Sequence, residues 1–325
     1  MSTAPKVSVV MSVYNGAPGL RETLESVLAQ KGVRLELIVV NDGSTDETQE
    51  ILNRVAESDA RVRILDQENA GITVALTRGC AIAKGKYIAR QDAGDWSLSG
   101  RLERQVAALE ADGDLSFVSC WTEVCGPCEE FISTKKGSGR ATVPTNIISD
   151  RDAHDLVDGP SCHPSVVFRR DSYQAVGGYR NQFYFGQDWD LWYRLAECGK
   201  FQVIPAVLYR ARVTPESLSG RYRDAQNQVG KLSREALSRR RRGQDENDLL
   251  ERASAIRPAP DMPTRSSADG YYFIGECLRR NGDERAEIYL KKAISAAPTD
   301  LRSWVRFAQI AASRAFRRAH RAKRS

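Results

Sequence analysis

The chain has 325 residues, 41% hydrophobic and 28% charged, a balance that belongs to ordinary soluble globular proteins and suggests two domains. No apolar run approaches the roughly 18 residues of a membrane span, and the first six residues carry no signal-peptide core, which predicts a cytoplasmic protein. The net charge of +6 is concentrated at one end: no acid follows Asp300 but eight Lys or Arg do, leaving 40 basic against 42 acidic side chains in the first 300 residues, so the body has no nucleic-acid-binding character. Seven cysteines, an odd number without regular pairing, fit a reducing compartment.

In chain order, residues 7–13 form a buried-strand run, and Tyr14, Asn15 and Gly16 turn into a helix over about 18–30 with Pro18 at a tolerated early position. A second strand spans 35–40. Ser44 or Thr45 can cap the helix that follows to Glu57, with Asp46 and Glu47 well placed in its first turn. A strand at 62–65, a helix at 72–83 and a strand at 87–91 complete an alternation that implies a parallel sheet covered on both faces.

Such a sheet serves several chemistries, so the loops decide. There is no Gly-x-Gly-x-x-Gly after the first strand and no Gly-x4-Gly-Lys-Ser/Thr, which excludes the usual pyrophosphate cradle and phosphate loop. Instead, acids follow strands: Asp42 after the second, and Asp92 and Asp95 after the fourth. Ligands of open parallel sheets bind beyond the carboxyl ends of the strands. Carboxylates side by side there repel unless a divalent cation relieves them and bridges to phosphate. An Asp-Gly surface turn is the plain alternative for an isolated Asp-x-Gly-Asp, and only the upstream context argues against it.

Three ordered segments, Val7 to Gly16, Glu36 to Thr48 and Lys84 to Asp95, resemble the family 2 glycosyltransferases of the A-type fold. The likeness continues through His163-Pro164-Ser165, Gly177-Gly178-Tyr179 and Gln187-Asp188-Trp189-Asp190, and covers residues 5 to about 220. It implies a Rossmann-like nucleotide-binding sheet and an inverting transfer of a sugar from a nucleotide donor, UDP being the expected nucleotide, to a hydroxyl of a glycan or lipid-linked acceptor in cell-surface polysaccharide synthesis. By that resemblance Val13, Tyr14, Asn15 and Asp42 match the positions that hold the base of the donor. Asp92 matches the residue near ribose and metal, a Mn²⁺ or Mg²⁺ ion. The place of the usual second metal-binding Asp is taken by Gly94, with Asp95 as its substitute. Relatives often carry His where this chain has Thr214, so Arg210 or Arg212 is expected to share the diphosphate charge. Asp188 matches the general base, and His163, Trp189 and Asp190 are expected at the acceptor, helix packing being the alternative for Trp189 and Asp190 and a structural role for His163.

Cys125-Gly126-Pro127-Cys128 is a single close cysteine pair, where a structural zinc site shows two, and reads as ordinary reduced thiols. The resulting division is a catalytic domain at 1–220, a basic helix and linker at 221–265, and a small all-α region at 266–325. Within the last, Tyr271, Ile274 and Gly275 recur 33 residues later as Trp304, Phe307 and Ala308, which resembles a degenerate tetratricopeptide unit. The final helix is amphipathic and basic, which fits either docking on the preceding helices or an anionic membrane surface, the latter placing the protein at the inner face of the cell membrane. A catalytically silent relative acting as an interaction protein through these helices stays open as the second reading.

Overall fold

The computed structural model describes residues 4–137, 159–217, 222–258 and 266–322, with side chains in the last helix described to residue 312. Strands β1 (Val7–Val13), β2 (Leu35–Asp42), β3 (Val62–Gln67) and β4 (Tyr87–Asp92) run parallel in the order β3-β2-β1-β4, as the alternation predicts. Between them lie α1 (Leu20–Leu28), α2 (Thr48–Ser58) and α3 (Ile72–Ala81).

β1 and β2 are mostly apolar rather than alternating because both faces of the sheet are covered. Val7, Val9, Met11 and Val13 join Leu20, Leu24 and Leu52 in one core layer, while Val10 and Ile38 join Leu76 and Cys80 in the other. Two of the polar residues in these strands pair with each other, Ser8 Oγ donating to Glu36 Oε1 at 2.6 Å.

Past β4 the sheet becomes mixed, which the sequence pattern does not anticipate. A two-residue β5 (Trp96–Ser97) and α4 (Arg101–Ala111) precede β6 (Leu115–Cys125), β7 (Phe131–Lys135), β8 (Val167–Arg169) and β9 (Lys200–Arg212). The order continues β4-β8-β6-β9-β5, with β8 antiparallel to both β4 and β6 and β5 antiparallel to β9, while β7 pairs with β6. Helices α5 (Arg170–Ala175), α6 (Gln187–Cys198), α7 (Arg223–Arg241) and α8 (Asn247–Ser254) follow their strands. Register then fixes the functional edge: Val13 pairs with Asn41 and Ser12 with Asp92, so β1, β2 and β4 end together.

The chain divides into two units, one from residues 1–123, 134–211 and 227–258 and the other from 124–133, 212–226 and 259–325, a division that cuts across the boundary expected at 220. In the first, the arginine run ending α7 is tied down: Arg239 pairs with Glu235 and Asp248, and Arg240 with Glu197 and Glu246. In the second, α9 (Ser267–Arg280), α10 (Ala286–Ala296) and α11 (Leu301–Ala322) are the expected helices. Gly275 lets α9 meet α10 closely, since a Cβ there would lie 2.9 Å from Leu290 Cγ. α11 turns Ser303, Phe307 and Ile310 inward or sideways, and leaves Leu301, Trp304, Val305 and Ala308 exposed. Their exposure does not fit docking on the preceding helices, one of the two alternatives expected for this helix. No described helix is long and apolar enough to cross a membrane.

Candidate active site

The first two strand-to-helix loops are sewn together. Asn15, held at φ 47°, donates its backbone N–H to Ser44 Oγ at 3.0 Å and accepts at Oδ1 from the Thr45 N–H at 2.7 Å. Gly16 N–H donates to Thr48 Oγ1 and Ala17 N–H to Asp46 Oδ2. Ser44 is thereby used across the loops rather than as the expected helix cap; α2 starts at Thr48, whose N–H is met by Asp46 Oδ1. Next to this clasp Tyr14 is 53% exposed, an aromatic face open for a base to stack on.

Asp42 is buried. Its Oδ1 accepts from Gln67 Nε2 at 2.6 Å and the Ala70 N–H at 2.8 Å, and its Oδ2 from the Gly71 N–H at 2.9 Å. A carboxylate so occupied orders the loop leading into α3 from beneath.

The tip of β4 separates two carboxylates that look alike in sequence. Asp92 has a 37% exposed side chain, and its Oδ1 accepts from Arg90 Nη2 at 2.8 Å, a guanidinium with no exposed surface. Asp95, the second expected metal ligand, is buried, and its Oδ2 accepts from the Tyr209 hydroxyl at 3.0 Å. Gly94 sits between them at φ 90°, a left-handed conformation in which any side chain other than hydrogen is strained, and its N–H donates to Thr23 Oγ1. Asp92 therefore offers the one open oxygen of the motif.

Two buried arginines underlie this tip. Arg90 also donates to the carbonyls of Val10 and Gln91. Arg101, at the start of α4, has every N–H engaged: Gln105 Oε1, Gln91 Oε1, Ser97 Oγ and the carbonyls of Arg90 and Pro164, at 2.6 to 3.1 Å. Its guanidinium lies 4.6 Å from the Tyr209 ring centroid. Sequence reasoning passed over Arg90, Arg101 and Tyr209. For Arg90 the available signal was a charge inside an otherwise apolar strand, because a fully buried cation must be paired; Arg101 at a helix start and Tyr209 in a long strand carried no such mark.

Asp188 lies in the first turn of α6, after Gly186 at φ 61°. Burial pushes its carboxyl up to about 6; the backbone N–H groups of Trp189 and Asp188 oppose this, Asp92 adds to it and Arg90 opposes it. A carboxylate that holds or releases a proton near neutrality at a helix start is suited to general-base work. His163 is committed otherwise: Nε2 and the Tyr179 hydroxyl are 2.9 Å apart, the ring meets Trp192 edge-on, and burial followed by the charge of Arg90 keeps the imidazole well below its ordinary value. Trp189, 39% exposed, stacks its edge on Trp192 and keeps a surface an acceptor can reach. Asp190 has none. Its Oδ2 takes Arg194 Nε and Nη2 at 3.0 and 2.5 Å, and Arg180 lies 3.7 Å from Oδ1, so helix packing replaces the expected acceptor contact.

Arg210 stands opposite Trp96 in the β5–β9 register and donates from Nε to Glu123 at 2.6 Å, on the same rim as Asp95. In the other unit, the Thr214 N–H donates to Ser217 Oγ. Among the described residues no three His, Cys, Asp or Glu side chains cluster to hold a metal, and none of the seven cysteines is in a disulfide. A single open carboxylate oxygen nevertheless suits Mg²⁺ or Mn²⁺, which accept one or two protein carboxylates when phosphate and water fill the remaining positions.

A family model described as glycosyl transferase family 2 matches residues 8–177. EpsE of Bacillus subtilis (strain 168), named as a glycosyltransferase, is 33% identical over 226 residues, covering 68% of this chain and 78% of EpsE. The chondroitin synthase of Pasteurella multocida (strain Pm70) is 26% identical over 225 residues, 68% of this chain and 22% of that protein. Among solved structures, a Pyrobaculum calidifontis mannosyltransferase in complex with GDP-Man and Mn²⁺ aligns with TM-score 0.54 at 18% identity, covering 94% of this chain and 84% of that one. TarS 1-349 of S. aureus in complex with UDP aligns at 0.52 and 16%, covering 88% and 75%. The fold is that of the A-type glycosyltransferases, a Rossmann-like α/β sheet followed by C-terminal helices. The chain belongs to the family 2 glycosyltransferases.

Proposed function

We propose that this enzyme moves a sugar, with inversion, from a nucleoside-diphosphate donor, UDP being our reading of the nucleotide, to a hydroxyl of a glycan or lipid-linked acceptor in polysaccharide synthesis. The observation that carries the reading is Asp188, whose carboxyl is poised at about 6 at the start of α6 and feels the charge of Asp92. Asp188 takes the proton of the acceptor hydroxyl as its oxygen attacks the anomeric carbon, and the nucleoside diphosphate departs from the opposite side. Tyr14 stacks on the base beside the clasp that Asn15 forms with the next loop, Val13 ends the strand beneath it, and Asp42 orders the loop before α3. Asp92 would hold a Mn²⁺ or Mg²⁺ ion through Oδ2, the oxygen left open by the Arg90 contact. When bound, that ion supplies positive charge against the leaving diphosphate. Arg210 adds to this charge from the rim, and Trp189 supports the acceptor.

With a panel of UDP- and GDP-sugars, Mn²⁺ and glycan acceptors, the wild-type chain should release nucleoside diphosphate and form product, and Asp188→Asn should not. Failure to release nucleoside diphosphate from any donor of the panel would reject the reading in favour of an interaction protein working through its helices.

A second feature bears on where the reaction occurs. Leu301, Trp304 and Val305 are 74%, 46% and 51% exposed on one face of α11, in a region followed by arginines and a lysine. This face is our reading of a contact with anionic lipid, which would hold the enzyme at the inner membrane surface near lipid-linked acceptors.

A further inference from the structure

We propose that Arg90 is a positioning residue that presents Asp92 to the divalent cation through one chosen oxygen. The inference rests on the donor-site reading above. In the sequence Arg90 is a charge on a buried strand; in the fold it reaches the strand tip from below. Nη1 is anchored on the Val10 carbonyl at 2.5 Å and the Gln91 carbonyl at 3.2 Å, and Nη2 meets Asp92 Oδ1 at 2.8 Å. The guanidinium has no solvent contact, while the Asp92 side chain is 37% exposed. One oxygen of Asp92 is thus fixed on a rigid, carbonyl-anchored donor and the other is left at the surface. Among the described residues Oδ2 takes no hydrogen bond.

A carboxylate ligand held by a buried donor loses little freedom when it binds a cation, and partners of this kind set the direction of the ligating atom. The device matters more here than in a site with two acids at the tip. Gly94 supplies no carboxylate and the Asp95 carboxylate is bonded to Tyr209, so correct aim of a single oxygen carries the protein's share of the coordination.

The arrangement gives a sharp test. An Asn at position 92 must turn its carbonyl oxygen to the Arg90 donor, and its NH₂ then faces the cation. Binding of UDP and of GDP is measured by calorimetry with Mn²⁺ and with chelator, and the ratio of the two affinities is the metal-dependent gain. Asp92→Asn should lose the gain by tenfold or more. Arg90→Met combined with Asp92→Asn frees the amide to turn and should recover at least threefold of it. Arg90→Lys keeps the charge but not the fork; it should lower the gain threefold or more, with metal-free nucleotide affinity within twofold of wild type, and it serves where melting curves show that the Met variant does not fold. An unchanged gain in Arg90→Lys, or a double variant no better than Asp92→Asn, overturns the role of Arg90 and leaves the donor reading intact. A wild type that binds nucleotide with no metal-dependent gain overturns the proposal and the metal reading together.

Discussion

The Tyr209 hydroxyl donates to Asp95 Oδ2 at 3.0 Å and accepts, at 3.2 Å each, from Gln91 Nε2 and the Asp92 N–H. One phenol on β9 therefore fixes the whole acidic turn after β4, and it is in turn covered by the Arg101 guanidinium. Tyr209→Phe removes this hub and leaves a buried carboxylate short of a donor, at a cost of about 1–3 kcal/mol. Urea unfolding should show the corresponding fall in midpoint with an unchanged slope. A variant as stable as wild type would mean that water replaces the hydroxyl.

The same hub predicts that the two acids fail differently. Asp92→Ala should abolish the metal-dependent gain in nucleotide affinity and change stability little, because its side chain is at the surface. Asp95→Ala should lower the melting temperature through the loss of a buried partner for Tyr209, and reduce the gain only in proportion to the disorder it causes. Equal loss of metal dependence in both would make Asp95 a ligand in its own right.

Asp188→Asn keeps the shape of the side chain and cannot accept a proton, so turnover should fall by about 10²-fold or more with nucleotide affinity near wild type. In the wild type, kcat/KM should decline with falling pH through a midpoint of about 6 as the base is protonated. Stability runs the opposite way. The folded-state value lies above the ordinary carboxylate one, so the neutral form is favoured in the fold, and its contribution to stability is present at low pH and lost as pH rises through about 6. Asp188→Asn should therefore be at least as stable as wild type at pH 8. A less stable Asn variant there would contradict the burial that raises the carboxyl.

The parallel half of the sheet was legible because each strand and helix is closed by its own turn residues, and β1 to β4 appear where the periodicity puts them. The mixed half was not. β8 is three residues long and finds both neighbours, β4 and β6, at long sequence separation, which no local pattern encodes. The site divides in the same way. Asp92 and Asp188 stand at element ends, where motif spacing locates them. The inward turn of Asp95 depends on Tyr209, 114 residues away, and Asp190 is claimed by Arg194 on its own helix. Sequence shows an acid's position along its element, while the residues packed against it decide whether it faces a ligand.

α11 provides the last prediction. Its exposed residues Leu301, Trp304 and Val305 follow i, i+3, i+4 spacing, so one side of the helix presents a continuous apolar strip. Burying a large side chain of this kind contributes roughly 1.5–3 kcal/mol, and each nearby cation about 1 kcal/mol at an anionic surface, the latter falling with salt. Arg302 is partly committed to Asp269 and Asp300, so the cations of residues 314–324 would carry most of the electrostatic share. Replacing both Leu301 and Val305 by Glu removes apolar area and adds repulsion without touching the inward Ser303. In cosedimentation with vesicles of anionic phospholipid at low salt, the wild type should pellet and the double variant should bind at least tenfold more weakly, with nucleotide affinity unchanged. Recovery of both proteins in the supernatant would reject the membrane contact, and equal pelleting of both would assign it to charge alone.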